Sequence, residues 1–220
     1  MKKTEDINLE EAARYLGIKS GNLDDKTKSL LEKCKAELLK FANPKYIYRI
    51  FDLNSDFTLA GTNFTLLGDD IKNHLKGCKK VVVMAATLGT GVDKLVKQGS
   101  VTDMTDAVIY DALASALIEQ VCDSLEKEIK ALGFLNLTSR FSSGYGDFPL
   151  DTQKDVLKIL NAEKLIGLYL TDSSMLIPMK SVTAIMGISD KKTDNKTKSC
   201  DSCNMKETCN YRKRGVDCGL

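Results

Sequence analysis

Residues 102–132 constrain the fold most. Met104, Ala107, Val108, Ala112, Leu117, Val121, Leu125, Ile129 and Leu132 recur on one face of a 3.6-residue period, and Gly133 supplies a C-terminal stop. A helix with so long an apolar face needs an extended surface to bury it. Strand-like segments on either side could provide one. Lys79–Ala86 reads as a buried strand by composition and Tyr46–Phe51 as an aromatic, β-branched strand. Leu165–Leu170 and Ser181–Met186 read as two more, and Phe57–Leu59 and Asn63–Leu66 as short strands around the Ala60-Gly61 turn. Further helices are expected over 8–18, 24–41, 69–75 and 151–160, and from the Thr87–Gly91 turn to Gln98; Pro44 ends the second of these. The order is mixed rather than strictly alternating. The expected class is α+β, with a mainly antiparallel sheet and long helices.

Bulk properties narrow the function. The net charge of +2 over 220 residues creates no field that draws in nucleic acid or an acidic membrane. No apolar run approaches a membrane span, and the Met1–Asp6 start lacks the apolar core of a signal peptide, so a cytoplasmic protein is expected. His74 is the only histidine and reads as a surface or packing residue, so Ser–His or Cys–His catalysis is not expected. Residues 189–199 carry no apolar side chain and read as a linker between a 1–188 domain and a 200–220 tail.

The tail holds four of the seven cysteines. Cys200, Cys203, Cys209 and Cys218 are the right number of thiolates for tetrahedral zinc or a [4Fe-4S] cluster, although the spacing matches neither a ferredoxin run nor a paired zinc ribbon. A metal-free tail is the remaining option. Cys34, Cys78 and Cys122 lie in apolar or helical contexts and read as small packed side chains.

Three places could hold a ligand. Gly89 and Gly91 follow a buried strand and open a helix, which suits a phosphate. The third glycine of the dinucleotide pattern and its later acid are missing, and a tight turn accounts for both glycines. Glu119 lies at the apolar margin of the long helix, where a carboxylate could hold an amine or hydroxyl, whereas Asp111 and Asp123 read as a solvated face. The richest is Arg140–Asp147. Gly144 and Gly146 let the backbone bend around Tyr145, Ser142 sits within the turn, and Arg140 offers a planar fork for a carboxylate. The Tyr145 ring offers a face to a cation.

Arg140, Gly144 and Tyr145 stand in an Arg-x-x-x-Gly-Tyr order. Leu170-Thr-Asp-Ser is followed by Pro178 and by Ser181-Val182, and Glu119 stands four residues before Asp123. In these motifs, best over residues 100–188, the chain resembles the S-adenosylmethionine-binding activation domain of cobalamin-dependent methionine synthase, in its short free-standing form. Where the long enzyme has an aromatic-rich segment after the Ser-Val block, this chain has Ile185 to Lys192. The resemblance implies S-adenosylmethionine held by Arg140, Tyr145, Gly144, Ser142 and Glu119, with no catalytic side chain of its own. It implies an accessory role in reductive remethylation of cobalamin on a partner methionine synthase. Flavodoxin, ferredoxin or a tail cluster would supply the electron. Two alternatives stay open: reactivation of another corrinoid protein, and a zinc-knob nucleic-acid module suggested by the basic Tyr211–Arg214 run.

Overall fold

The computed structural model describes residues 6–18 and 21–189; the tail cysteines and the expected linker beyond Ser189 lie outside the described residues. Helices α1 (Leu9–Tyr15) and α2 (Asp25–Phe41) come first, each started by a side chain that accepts from an orphan amide: Asn8 from Glu11 N at 3.1 Å and Asp24 from Thr27 N at 2.9 Å. Strand β1 (Lys45–Asp52), helix α3 (Asp69–His74), strand β2 (Lys80–Thr87) and helices α4 (Thr90–Thr102) and α5 (Met104–Ala131) follow. A 3-10 turn (Leu150–Thr152) leads into α6 (Gln153–Leu160) and α7 (Ala162–Ile166). The hairpin β3 (Tyr169–Leu170) and β4 (Leu176–Ile177) then precedes β5 (Ser181–Ile188).

The sheet runs β1-β2-β5, antiparallel throughout, with Lys45 opposite Thr87 and Thr87 opposite Ser181. Strand β2 is central and buried on both faces from Val81 onward. Its alternate side chains serve two cores. Val82, Met84 and Ala86 meet α1, α2, α4 and α5, together with Ala184, Met186 and Ile188 of β5. Val81, Val83 and Ala85 meet the helices of the other face, where Ile71, Leu75, Val156, Leu157, Leu160 and Ile166 gather with Leu59, Phe64 and Leu66. The result is the expected α+β fold with an antiparallel sheet and long helices, and it has a helical layer on each side of the sheet. Among the described residues, no helix is long and apolar enough to cross a membrane.

The boundaries differ from expectation in three places. The helix expected over 102–132 is α5, and the one before it runs past Gln98 to Thr102: Asp103 has an extended backbone, ends α4 and caps α5 by accepting from Thr105 N at 2.8 Å. Met104, Val108 and Leu132, expected on its apolar face, are exposed: Met104 and Leu132 stand at the ends of α5, and Val108 lies on the face opposite its buried neighbours Ala107 and Ile109. Leu165–Leu170 is not one strand: α7 runs to Ile166, Gly167 ends it at φ 70°, and only Tyr169 and Leu170 pair. Phe57–Leu59 and Asn63–Leu66 form no strands. Their hydrogen bonds close locally, Leu59 N to Phe64 O at 2.9 Å and Leu66 N to Phe57 O at 3.0 Å, while Leu59, Phe64 and Leu66 fill the second core.

Gly89 and Gly91 serve the fold. Gly89 turns the chain at φ 82°, and a Cβ on Gly91 would stand 2.3 Å from the Phe41 carbonyl oxygen, so the start of α4 packs directly on the end of α2. Backbone cannot yield as a flexible side chain can. Gly91→Ala should destabilise the protein by about 1–3 kcal/mol in urea unfolding; an unchanged midpoint would contradict this contact.

Candidate ligand-binding site

The outer edge of β5 carries an irregular ribbon, residues 137–141. Leu137 bridges to Ile188 and Phe141 to Ile185, with Phe141 N and Ile185 N each donating across at 2.9 Å. Gly187 N donates to the Thr138 hydroxyl at 2.8 Å. This pairing covers the sheet edge. It also carries Arg140 to the flank of α5 and leads the chain into the Ser142–Phe148 turn.

Beside the ribbon opens a cavity of 490 Å³ lined by residues from the whole length of the chain. Glu11, Arg14 and Tyr15 come from α1, Glu119 and Asp123 from α5, and Arg140, Ser142 and Tyr145 from the ribbon and turn. Gln153 comes from α6, Leu176 from β4, and Ser181, Val182 and Thr183 from β5. Four residues named from sequence, Glu119, Arg140, Ser142 and Tyr145, thus face one space. Gly144 stands behind it. At φ 88° it shapes the turn, and its amide donates to Phe148 O at 2.8 Å, away from the cavity.

Arg140 is the electrostatic centre. Its Nη2 lies 3.1 Å from Glu119 and 3.0 Å from Asp123, and its Nε 3.4 Å from Glu126. Nη1 is buried without a hydrogen-bond partner among the described residues. Burial alone would lower the guanidinium's pKa; Cys122 and the carboxylates of Glu119, Glu126 and Asp123 outweigh it and raise the value. The neighbouring Cys122 thiol is pushed up to about 12, chiefly by burial, and stays protonated. Across the cavity Arg14 pairs with Glu11 and lies 4.6 Å over the Tyr15 ring. Asp111, by contrast, turns away to Lys180 at 2.8 Å. The described residues hold no cluster of three or more His, Cys, Asp or Glu fit for a metal ion.

The family profile for the vitamin B12 dependent methionine synthase activation domain matches residues 52–215. The chain belongs to that family. A crystal structure of the MetH reactivation domain bound to AdoHcy shares the fold, with a TM-score of 0.55 and 17% identity over 93% of this chain and 77% of that one. No curated protein sequence matches the chain.

In this activation domain the Arg-x-x-x-Gly-Tyr turn is held from behind by α3, at both ends. The Asp147 carboxylate accepts from Asp69 N at 2.6 Å and Asp70 N at 3.0 Å, and the Asp70 carboxylate accepts in return from Asp147 N at 3.2 Å. Gly68 and Gly146 permit this crossing: a Cβ on either would fall within 2.5 Å of the opposing carboxylate. At the other end, His74 Nε2 meets Ser139 O at 2.8 Å and its ring packs on Phe141, whose edge in turn meets Tyr145. His74 is therefore a packing residue that orients the loop, in keeping with its reading from sequence.

Several lining residues carried no sequence signal. Glu11, Arg14 and Tyr15 lie more than a hundred positions before Arg140, and Gln153 looked like any polar residue at a helix start. Two backbone amides hold the Asp147 carboxyl below the usual range. The clamp should be complete above pH about 4 and weaken as the pH falls through that depressed value. Asp147→Ala should raise the hydrogen-exchange rates of the Asp69 and Asp70 amides at neutral pH and loosen Tyr145; unchanged protection at both amides would contradict the clamp.

Proposed function

We propose that the chain binds S-adenosylmethionine in this cavity and supports reductive remethylation of the corrinoid of cobalamin-dependent methionine synthase. The charge of the cavity carries this reading. Three carboxylates, Glu11, Glu119 and Asp123, line the cavity with two guanidiniums, Arg14 and Arg140, which leaves one negative charge in excess; Glu126, paired with Arg140 outside the lining, adds to that sign. S-adenosylmethionine carries one net positive charge, from its sulfonium and ammonium groups against one carboxylate. A cavity of 490 Å³ lies within the range of small-molecule sites. AdoHcy, the ligand of the similar MetH structure, is what remains when the methyl group has left.

Arg140 binds the methionyl carboxylate, which displaces Asp123, the most exposed of its three acids at 55%. Glu119 then takes the ammonium or a ribose hydroxyl, Tyr145 lies against the sulfonium, and Ser142 offers backbone contacts. The ligand supplies the methyl group, and a flavodoxin- or ferredoxin-type donor supplies one electron to the partner's corrinoid. The chain provides no nucleophile: its residues hold the sulfonium in line and shield it from water. Cys200, Cys203, Cys209 and Cys218 provide a four-thiolate metal site, iron–sulfur or zinc, appended to this domain.

Calorimetry should show binding of S-adenosylmethionine in preference to S-adenosylhomocysteine, with a gap that narrows as salt rises. Arg140→Ala should weaken S-adenosylmethionine binding by about 2–4 kcal/mol. Unchanged affinity in that variant would refute the assignment. Protein purified without oxygen should contain either iron with sulfide or about one zinc per chain; neither metal would remove the tail from the reading.

A further inference from the structure

The cavity is divided by chemistry. Every charged side chain that lines it comes from α1, α5 or position 140, whereas α6, β4 and β5 contribute only Gln153, Leu176, Ser181, Val182 and Thr183. The charged half suits the amino-acid and sulfonium end of the proposed ligand. The neutral half suits a nucleoside, which is uncharged, flat and rich in polar edges.

Within the neutral half, one group lacks a partner. Gln153 is 8% exposed, and its Oε1 is buried with no hydrogen bond among the described residues. An unpaired amide oxygen is costly to bury unless a ligand completes it. The residue is not loose. It opens α6 directly after Thr152, whose hydroxyl donates to Pro149 O at 2.6 Å and meets the Ser143 hydroxyl at 2.7 Å. The 142–148 turn and the start of α6 are thereby tied together, with Gln153 among the residues of the cavity wall. Leu176 and Val182 add half-buried apolar surface, and the half-exposed Tyr145 ring lines the same cavity.

We propose that Gln153 reads the adenine of the ligand, its amide oxygen accepting from the exocyclic amine and its amide nitrogen donating to N7. An amide matches that pair of groups on adenine and mismatches hypoxanthine, where a carbonyl oxygen replaces the amine. This rests on the S-adenosylmethionine reading above and assigns the nucleoside end of the same site.

The test titrates the full chain with S-adenosylmethionine and with S-inosylmethionine, and compares the ratio of the two affinities in wild type and Gln153→Met. A ratio within one protein is insensitive to how much of that protein is folded. Wild type should prefer the adenosyl ligand by roughly tenfold or more, and Gln153→Met should bring the ratio close to one. Equal affinities in wild type, or an unchanged ratio in the variant, would overturn the adenine contact while leaving S-adenosylmethionine binding in place. A wild-type chain that binds neither ligand would overturn the S-adenosylmethionine reading itself, and this inference with it.

Discussion

From Val81 to Thr87 every side chain of β2 is buried, so this strand must be covered on both faces at once. Its even positions require one helical layer and its odd positions another. With β1 on one side and β5 on the other, the sheet is narrow, and residues of both layers meet in the cavity beside the outer edge of β5. The ribbon at 137–141 closes that edge and runs along the seam. The cavity is therefore walled by α1 and α5 from one layer, by α6 and the ligand turn from the other, and floored by the first residues of β5.

Arg140 works within that seam under an electrostatic constraint. Three carboxylates of α5 converge on it, and without a cation they would repel one another in a half-enclosed space. The guanidinium fixes the ribbon to α5 and sets the sign of the cavity. Because its cationic capacity is already divided among acids, the site as a whole remains negative and favours a ligand with a net positive charge. Opposite this, the Asp70–Asp147 exchange and the His74–Phe141 packing hold the turn without entering the cavity. The residues that anchor the loop are thus largely distinct from those that line the cavity.

Much of this was legible along the chain. The α+β class, β1, β2, β5 and most helices followed from periodicity, because burial on one or both faces leaves a regular imprint. The Leu165–Leu170 run failed as a strand because apolar composition does not separate a strand from a short buried helix; Gly167 at positive φ decided it. Arg140, Tyr145, Ser142 and Glu119 were singled out by the family resemblance more than by pattern, and the fold brings them to one cavity from positions 119 to 145.

The sequence by itself determined that a buried strand and a long amphipathic helix would share a core, that an arginine and a tyrosine would flank a glycine turn, and that an acid would sit at the margin of the helix. Only the tertiary structure decided that α1 supplies Glu11, Arg14 and Tyr15 to the same cavity, that three acids rather than one surround Arg140, and that Gln153 lies buried without a partner. The reason is physical. Periodicity and turn chemistry act between near neighbours in the chain, whereas the sign of a cavity and the satisfaction of a buried amide are sums over side chains that meet only after the two layers have closed on the sheet.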